Sequence, residues 1–231
     1  MKRSTCDRSL IVGRHRRCRA VLALCMAVML TASIAAAAAP AGKPPMAKTI
    51  AMIGAGNMGQ ALGNLWAAAG YRVLFASRHP DELDDVVASA GHGAEAAAVG
   101  DAIDRAGIVV LAVPYRAEPP IAQQYGERMQ DKILVDVDNA FPHRDGEVAV
   151  KAEKVGEAVY SARLFEGTRF IRAFNLKGAT SFPDPSETDA ADFEVPYTTN
   201  DESVRPIAEA LIRATGGTPK YEGGLENARE Y

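Results

Sequence analysis

Cysteine is confined to the start of this 231-residue chain, at Cys6, Cys18 and Cys25. Everything after residue 25 is therefore free of disulfides, thiolate nucleophiles and cysteine-ligated zinc. Histidine is scarce too. It occurs only at positions 15, 79, 92 and 143, without metal-ligand spacing and without a His–Glu zinc pattern, so no metal site is expected. No G-x-S-x-G nucleophile elbow appears, which argues against a hydrolase built on Ser, His and Asp. Basic charge is thin where a polyanion would need it. Residues 1–45 hold eight Lys/Arg against one Asp, which leaves 18 Lys/Arg against 28 Asp/Glu for residues 46–231. An acidic body of this kind argues against nucleic acid as a partner. At 48% hydrophobic and 24% charged, the composition is that of a globular protein and excludes disordered or collagen-like classes.

The first 45 residues have their own pattern. Arg14, Arg16, Arg17 and Arg19 precede Ala20–Ala39, twenty residues without a charge, and small residues and Pro40 follow. A basic stretch, an apolar run and an Ala-x-Ala end make up the order of a secretory signal, with cleavage expected near Ala41. The run is long enough to span a bilayer, but it is Ala-rich, so no stable span is expected after cleavage. Arg16–Arg17 resembles a twin-arginine signal, which exports folded proteins. The expected location is thus periplasmic or otherwise exported. The alternative is a cytoplasmic protein translated from Met46, with residues 1–45 an N-terminal extension.

From Thr49 onward, short β runs alternate with helical stretches. Strands are expected at Thr49–Ile53, Tyr71–Ala76, Ile108–Val113, Ile133–Val137, Arg169–Ala173, Val195–Thr199 and Thr218–Tyr221. Helices are expected at Met58–Ala69, Pro80–Ala90, Ala102–Ala106, Pro119–Met129, Val155–Phe165 and Glu202–Ala214. Gly70 closes the first helix and Pro80 opens the second. The polar, proline-bearing segment 181–192 reads as a surface loop. This alternation predicts an α/β fold, a doubly wound and mostly parallel sheet with helices on both faces, as one domain over residues 46–231.

The chemistry begins at Gly54-Ala55-Gly56-Asn57-Met58-Gly59, which fits G-x-G-x-x-G between a predicted strand and a predicted helix. In that setting Gly54 makes the tight turn, Gly56 admits a pyrophosphate against the backbone, and Gly59 lets the helix pack closely on the strand. The diphosphate would rest on free N–H groups at the positive end of the helix. This is the dinucleotide fingerprint of a Rossmann sheet. An NAD site wants a carboxylate about 20 residues after the first glycine, for the ribose hydroxyls. Here the second strand runs out through Ser77 and Arg78, a hydroxyl donor and a planar cation suited to a 2′-phosphate, so NADP is expected. Val113 and Pro114 would line the nicotinamide side of the crevice, and Asn139 could hydrogen-bond there. Pro114 reads equally as strand termination and Asn139 as an Asx turn. Phe174-Asn175 reaches the same rim, with Phe174 reading equally as core. No catalytic side chain is assigned, which suits hydride transfer, because the cofactor carries that chemistry.

Over about residues 48–231 the chain resembles the NADPH-dependent F-420 reductase family, NADP oxidoreductases that use a deazaflavin coenzyme. The stretches that carry the resemblance are IGAGNMGQAL, the SR after the second strand, LAVPY, RAFN, and TTNDESVRPIAEALIRATGGTPKYEGGLENAR near the end. The resemblance implies one Rossmann domain, NADPH at Gly54–Gly59 with Ser77 and Arg78, and hydride exchange with a flavin-like ring. Pyrroline-5-carboxylate reductases and hydroxyacid dehydrogenases share the first stretch, but they need a long helical domain for which no room is expected here. One departure is that the family's final helix runs past the point where this sequence stops, Tyr231, which puts the pocket wall it builds in question. The acceptor expected is a small molecule: coenzyme F-420, a flavin, or a metal chelate such as related ferric reductase domains reduce. A homodimer is a further expectation. The competing reading is a non-catalytic NADP-binding sensor or partner module.

Overall fold

Thr49–Ile53 is buried at every position, and its neighbours in the sheet explain why. The computed structural model describes residues 48–185 and 193–229, all of which belong to one unit spanning Lys43–Tyr231. The signal-like N-terminal segment and most of the loop at 181–192 lie outside the described residues. The strands are β1 (Thr49–Ile53), β2 (Arg72–Ser77), β3 (Glu95–Ala98), β4 (Ile108–Leu111), β5 (Ile133–Asp136), β6 (Arg169–Ala173), β7 (Glu194–Thr198) and β8 (Thr218–Tyr221). They form one sheet in the order β3-β2-β1-β4-β5-β6-β7-β8. Every pairing is parallel except β6 with β7, which is antiparallel.

The helices are α1 (Asn57–Ala68), α2 (Asp84–Ala90), α3 (Val99–Arg105), α4 (Glu118–Met129), α5 (Pro142–Asp145), α6 (Glu147–Glu153), α7 (Glu157–Leu164) and α8 (Arg205–Arg213). Alternation along each strand divides the core between the two faces of the sheet. Ile50 and Met52 of β1 point into a cluster with Leu62 and Trp66 of α1 and Leu211 and Ile212 of α8. Ala51 and Ile53 point the other way, toward Ile103 of α3, Met129 of α4 and Ala158 of α7. Trp66 also donates its indole N–H to the Leu211 carbonyl at 2.9 Å, which ties α1 to α8. The fold is the doubly wound α/β sheet expected, with helices on both faces. Among the described residues, no helix is long and apolar enough to cross a membrane.

The chain departs from the expectation in three places. β3 forms at Glu95-Ala-Ala-Ala, a run without β-branched residues, because Leu74–Ser77 of β2 supplies a ladder for it. α5 and α6 occupy a stretch for which no element was expected, and Gly146 between them takes φ +58. The helix expected at Pro80–Ala90 opens as a separate 3-10 turn, Pro80–Glu82, before α2.

Candidate functional site

The strand order reverses direction at β1, with β2 on one side and β4 on the other. Beyond the carboxyl ends of these strands lies the crevice where open α/β sheets bind ligands. Here it measures about 400 Å³, a size suited to a cofactor.

Gly54 and Ala55 of the glycine turn line it. Gly54 takes φ +104, and a Cβ there would collide with the Ala112 carbonyl oxygen across the β1–β4 junction, so the position requires glycine. Gly59 is constrained differently: its Cβ would overlap the Gly54 carbonyl, which is the close helix-on-strand packing expected. Gly56 is open. It sits in ordinary extended backbone (φ −75, ψ −172) at the start of α1, and a Cβ there would meet no atom within 4 Å. No side chain caps α1, so its first-turn N–H groups face outward at the positive end of the helix. Gln60 donates to the Ala55 carbonyl at 2.7 Å and steadies the turn. The space a side chain would take at Gly56 is free.

At the end of β2, the Ser77 hydroxyl accepts the His79 N–H at 3.0 Å, which leaves its own proton available to a ligand. Arg78 is exposed and, among the described residues, makes no ion pair or hydrogen bond. No carboxylate stands at this strand end. Across the crevice, the Val113 N–H donates to Asp138 Oδ1 at 2.8 Å, and this fixes the Val113–Pro114 turn to the segment after β5.

The structure therefore brings Gly54, Ala55, Ser77, Arg78, Val113 and Pro114 together as crevice wall. Gly56, Asn57, Met58 and Gly59 follow in the turn and the first turn of α1, with Gly56 and Asn57 exposed. Asn139 is placed otherwise. Its amide donates to the Asn175 carbonyl at 2.7 Å, and it does not line the crevice. Phe174 is core, 2% exposed, with its ring edge-to-face on Trp66. Sequence reasoning missed the opposite wall, where Ala117, Pro120, Ile121, Gln124 and Tyr125 come from the start of α4 and the turn before it. Ile121 and Tyr125 are four apart, an apolar helical stripe that was legible as such but not as a wall.

Comparison with known proteins decides the family. The family model described as "NADP oxidoreductase coenzyme F420-dependent" matches residues 49–140. The F420-dependent NADP reductase of Methanothermobacter thermautotrophicus is 30% identical over 198 residues, which cover 80% of this chain and 84% of that protein. The chain belongs to the coenzyme F420-dependent NADP oxidoreductase family. As a member, it is an NADP-dependent oxidoreductase. Solved structures agree on the fold. The hypothetical protein SMa0349 from Sinorhizobium meliloti is 28% identical at a TM-score of 0.64, with 79% of this chain and 90% of that one covered. A candidate F420-dependent NADP-reductase from Arthrobacter sp. FB24 is 21% identical at a TM-score of 0.62, with 76% and 85% covered. In this F420-dependent oxidoreductase family member, the crevice lined by Gly54 and Ala55 is the candidate cofactor site.

Proposed function

We propose that the protein transfers hydride between NADPH and a deazaflavin or flavin acceptor in the β1–β4 crevice. The observation that carries this reading is the position of the glycine turn. It lies at the switch point, with Ser77 and Arg78 on one side and the Val113–Pro114 turn on the other. NADPH, when bound, supplies the hydride.

The chain does the rest. The open backbone at Gly56 and the uncapped start of α1 hold the diphosphate. The free Ser77 proton and the Arg78 guanidinium engage the 2′-phosphate and so select NADPH over NADH. Val113 and Pro114, pinned through Asp138, support the nicotinamide end, while Ile121 and Tyr125 of α4 exclude water from it. The wall residues position the two rings against each other.

The test is steady-state oxidation of NADPH with coenzyme F420, FMN, FAD and a ferric chelate, against a Gly56→Arg control. Turnover with F420 or a flavin above that control supports the reading. Tight NADPH binding without turnover on any acceptor would instead identify a sensor module. Export from the cytoplasm belongs to the same proposal at the level of sequence. N-terminal sequencing of protein from its host should find a start near Gly42, and a start at Met46 or Ala47 would remove it.

A further inference from the structure

Behind the crevice wall lies a buried group of acids: Glu118 at the start of α4, Asp136 and Asp138 at the end of β5, and Glu157 opening α7. One oxygen from each of Glu118, Asp136 and Asp138 lies within 4.8 Å of the others. Among the described residues, Arg172 of β6 is the buried cation that faces them. It donates to Asp136 Oδ2 at 2.6 Å and to Glu157 Oε2 at 2.7 Å. Asp136 Oδ1 accepts the Asp138 N–H at 2.9 Å, so both oxygens of Asp136 have donors. Among the described residues, no cation is bonded to Glu118.

Its partners can be settled by counting protons. Glu118 Oε2 lies 2.5 Å from Ser161 Oγ, Ser161 Oγ lies 2.8 Å from the Tyr115 hydroxyl, and that hydroxyl donates to the Glu157 carbonyl at 2.8 Å. Three contacts join four oxygens in a row, and each contact needs one proton. Ser161 and Tyr115 bring one apiece, and a peptide carbonyl brings none. With one proton to each contact rather than one shared by Ser161 between two, the third sits on the carboxyl group at the other end. We infer that Glu118 is a neutral carboxylic acid at neutral pH, the head of a donor chain running through Ser161 and Tyr115 to the Glu157 carbonyl, and that this chain fixes the start of α4 against α7 beneath the crevice.

The surroundings favour that state. Glu118 is fully buried, and among the described residues its Oε1, like Asp138 Oδ2, has no donor, which costs less for a neutral acid's carbonyl oxygen than for half of a carboxylate. Burial first, then the charges of Asp136 and Asp138, push its carboxyl well above the ordinary range, against Ser161 and Arg172, which act the other way. Asp136 and Arg172 also act on Tyr115, and Arg144 acts on Asp138 from α5. A metal ion on the three acids is disfavoured by the Arg172 guanidinium already seated on Asp136. Glu118 is thus a positioning residue: Ala117, Pro120 and Ile121 around it form crevice wall. Its protonation is a property of the fold, whereas its bearing on cofactor affinity rests on the reading above.

Infrared difference spectra of wild type against Glu118→Gln at neutral pH test the proton directly. Wild type should show a protonated-carboxyl C=O band that shifts in D2O and is absent from the variant. A second reading comes from melting curves across pH. A raised carboxyl value means that wild type loses stability as pH climbs above the unfolded glutamate value of about 4.3, and Gln does not. The melting point of Glu118→Gln relative to wild type should therefore rise with pH. Glu118→Ala should weaken NADPH binding roughly tenfold, the scale of about one lost hydrogen bond, and Gln should restore it. No band and a flat melting difference would overturn the inference. So would a fall in wild-type melting point with EDTA that Mg2+ or Ca2+ reverses, since the acids would then hold a cation. Binding that Gln fails to restore, with the band present, would remove only the positioning role.

Discussion

Gly56→Val separates the ligand's need for space from the fold's. At Gly56 the backbone is extended, with φ −75 and ψ −172, which valine adopts without strain. Nothing lies within 4 Å of the added Cβ. Two small effects on folding oppose each other. Valine is a poorer residue than glycine at the start of a helix, by up to about 1 kcal/mol. Removing glycine's freedom from the unfolded chain returns about 0.4–1 kcal/mol. The melting point of the variant should therefore stay within a few degrees of wild type. The ligand effect is far larger. At a hundredfold excess over Kd, NADPH stabilises wild type by about 2.7 kcal/mol. For a domain of this size that amounts to a rise of about 5–11 °C. The valine methyl groups occupy the volume the diphosphate needs, so the variant should show no rise. The assay is thermal unfolding of both proteins with and without saturating NADPH. A retained shift in Gly56→Val would refute the placement of the dinucleotide on this turn.

Arg78→Ala should weaken NADPH binding by about 1.5–3 kcal/mol and leave NADH nearly unchanged, because only NADPH carries the 2′-phosphate. Titration with both cofactors checks this, and equal losses would show that Arg78 does not read the phosphate. Gly59→Ala should behave unlike Gly56→Val. Its Cβ collides with the Gly54 carbonyl, so denaturant unfolding should show a loss of about 1–3 kcal/mol even without ligand. Arg172→Met removes the guanidinium bonded to buried Asp136 and to Glu157 and should cost about 3–5 kcal/mol at neutral pH. That cost should shrink toward acid pH, where both carboxyls can be neutral; a cost independent of pH would contradict the assignment of the charge.

The sheet was legible wherever a strand buries both faces, because Thr49–Ile53, Ile108–Leu111 and Arg169–Ala173 read as strands from their own residues. β3 was not, since Glu95–Ala98 acquires its structure from the β2 ladder. The glycine turn was legible because each glycine answers a local demand, although the demands at Gly54 and Gly59 became distinct only once Ala112 and the Gly54 carbonyl were placed. Asn139 was assigned to the correct strand end, but a strand end does not fix a rotamer, and its amide turns to Asn175. The α4 wall and the Glu118 chain were hidden for a related reason. Both depend on how helices dock across 40 or more residues of sequence, as in the 43-residue separation of Glu118 and Ser161.

The crystal structure of the NADPH complex tests the central claim most directly. The account predicts diphosphate density against the backbone of Gly56 at the start of α1, the 2′-phosphate within hydrogen-bonding distance of Ser77 Oγ and the Arg78 guanidinium, and the nicotinamide beside Val113 and Pro114. Density for the cofactor away from the Gly54–Gly59 turn, or a 2′-phosphate that Arg78 does not touch, would contradict it.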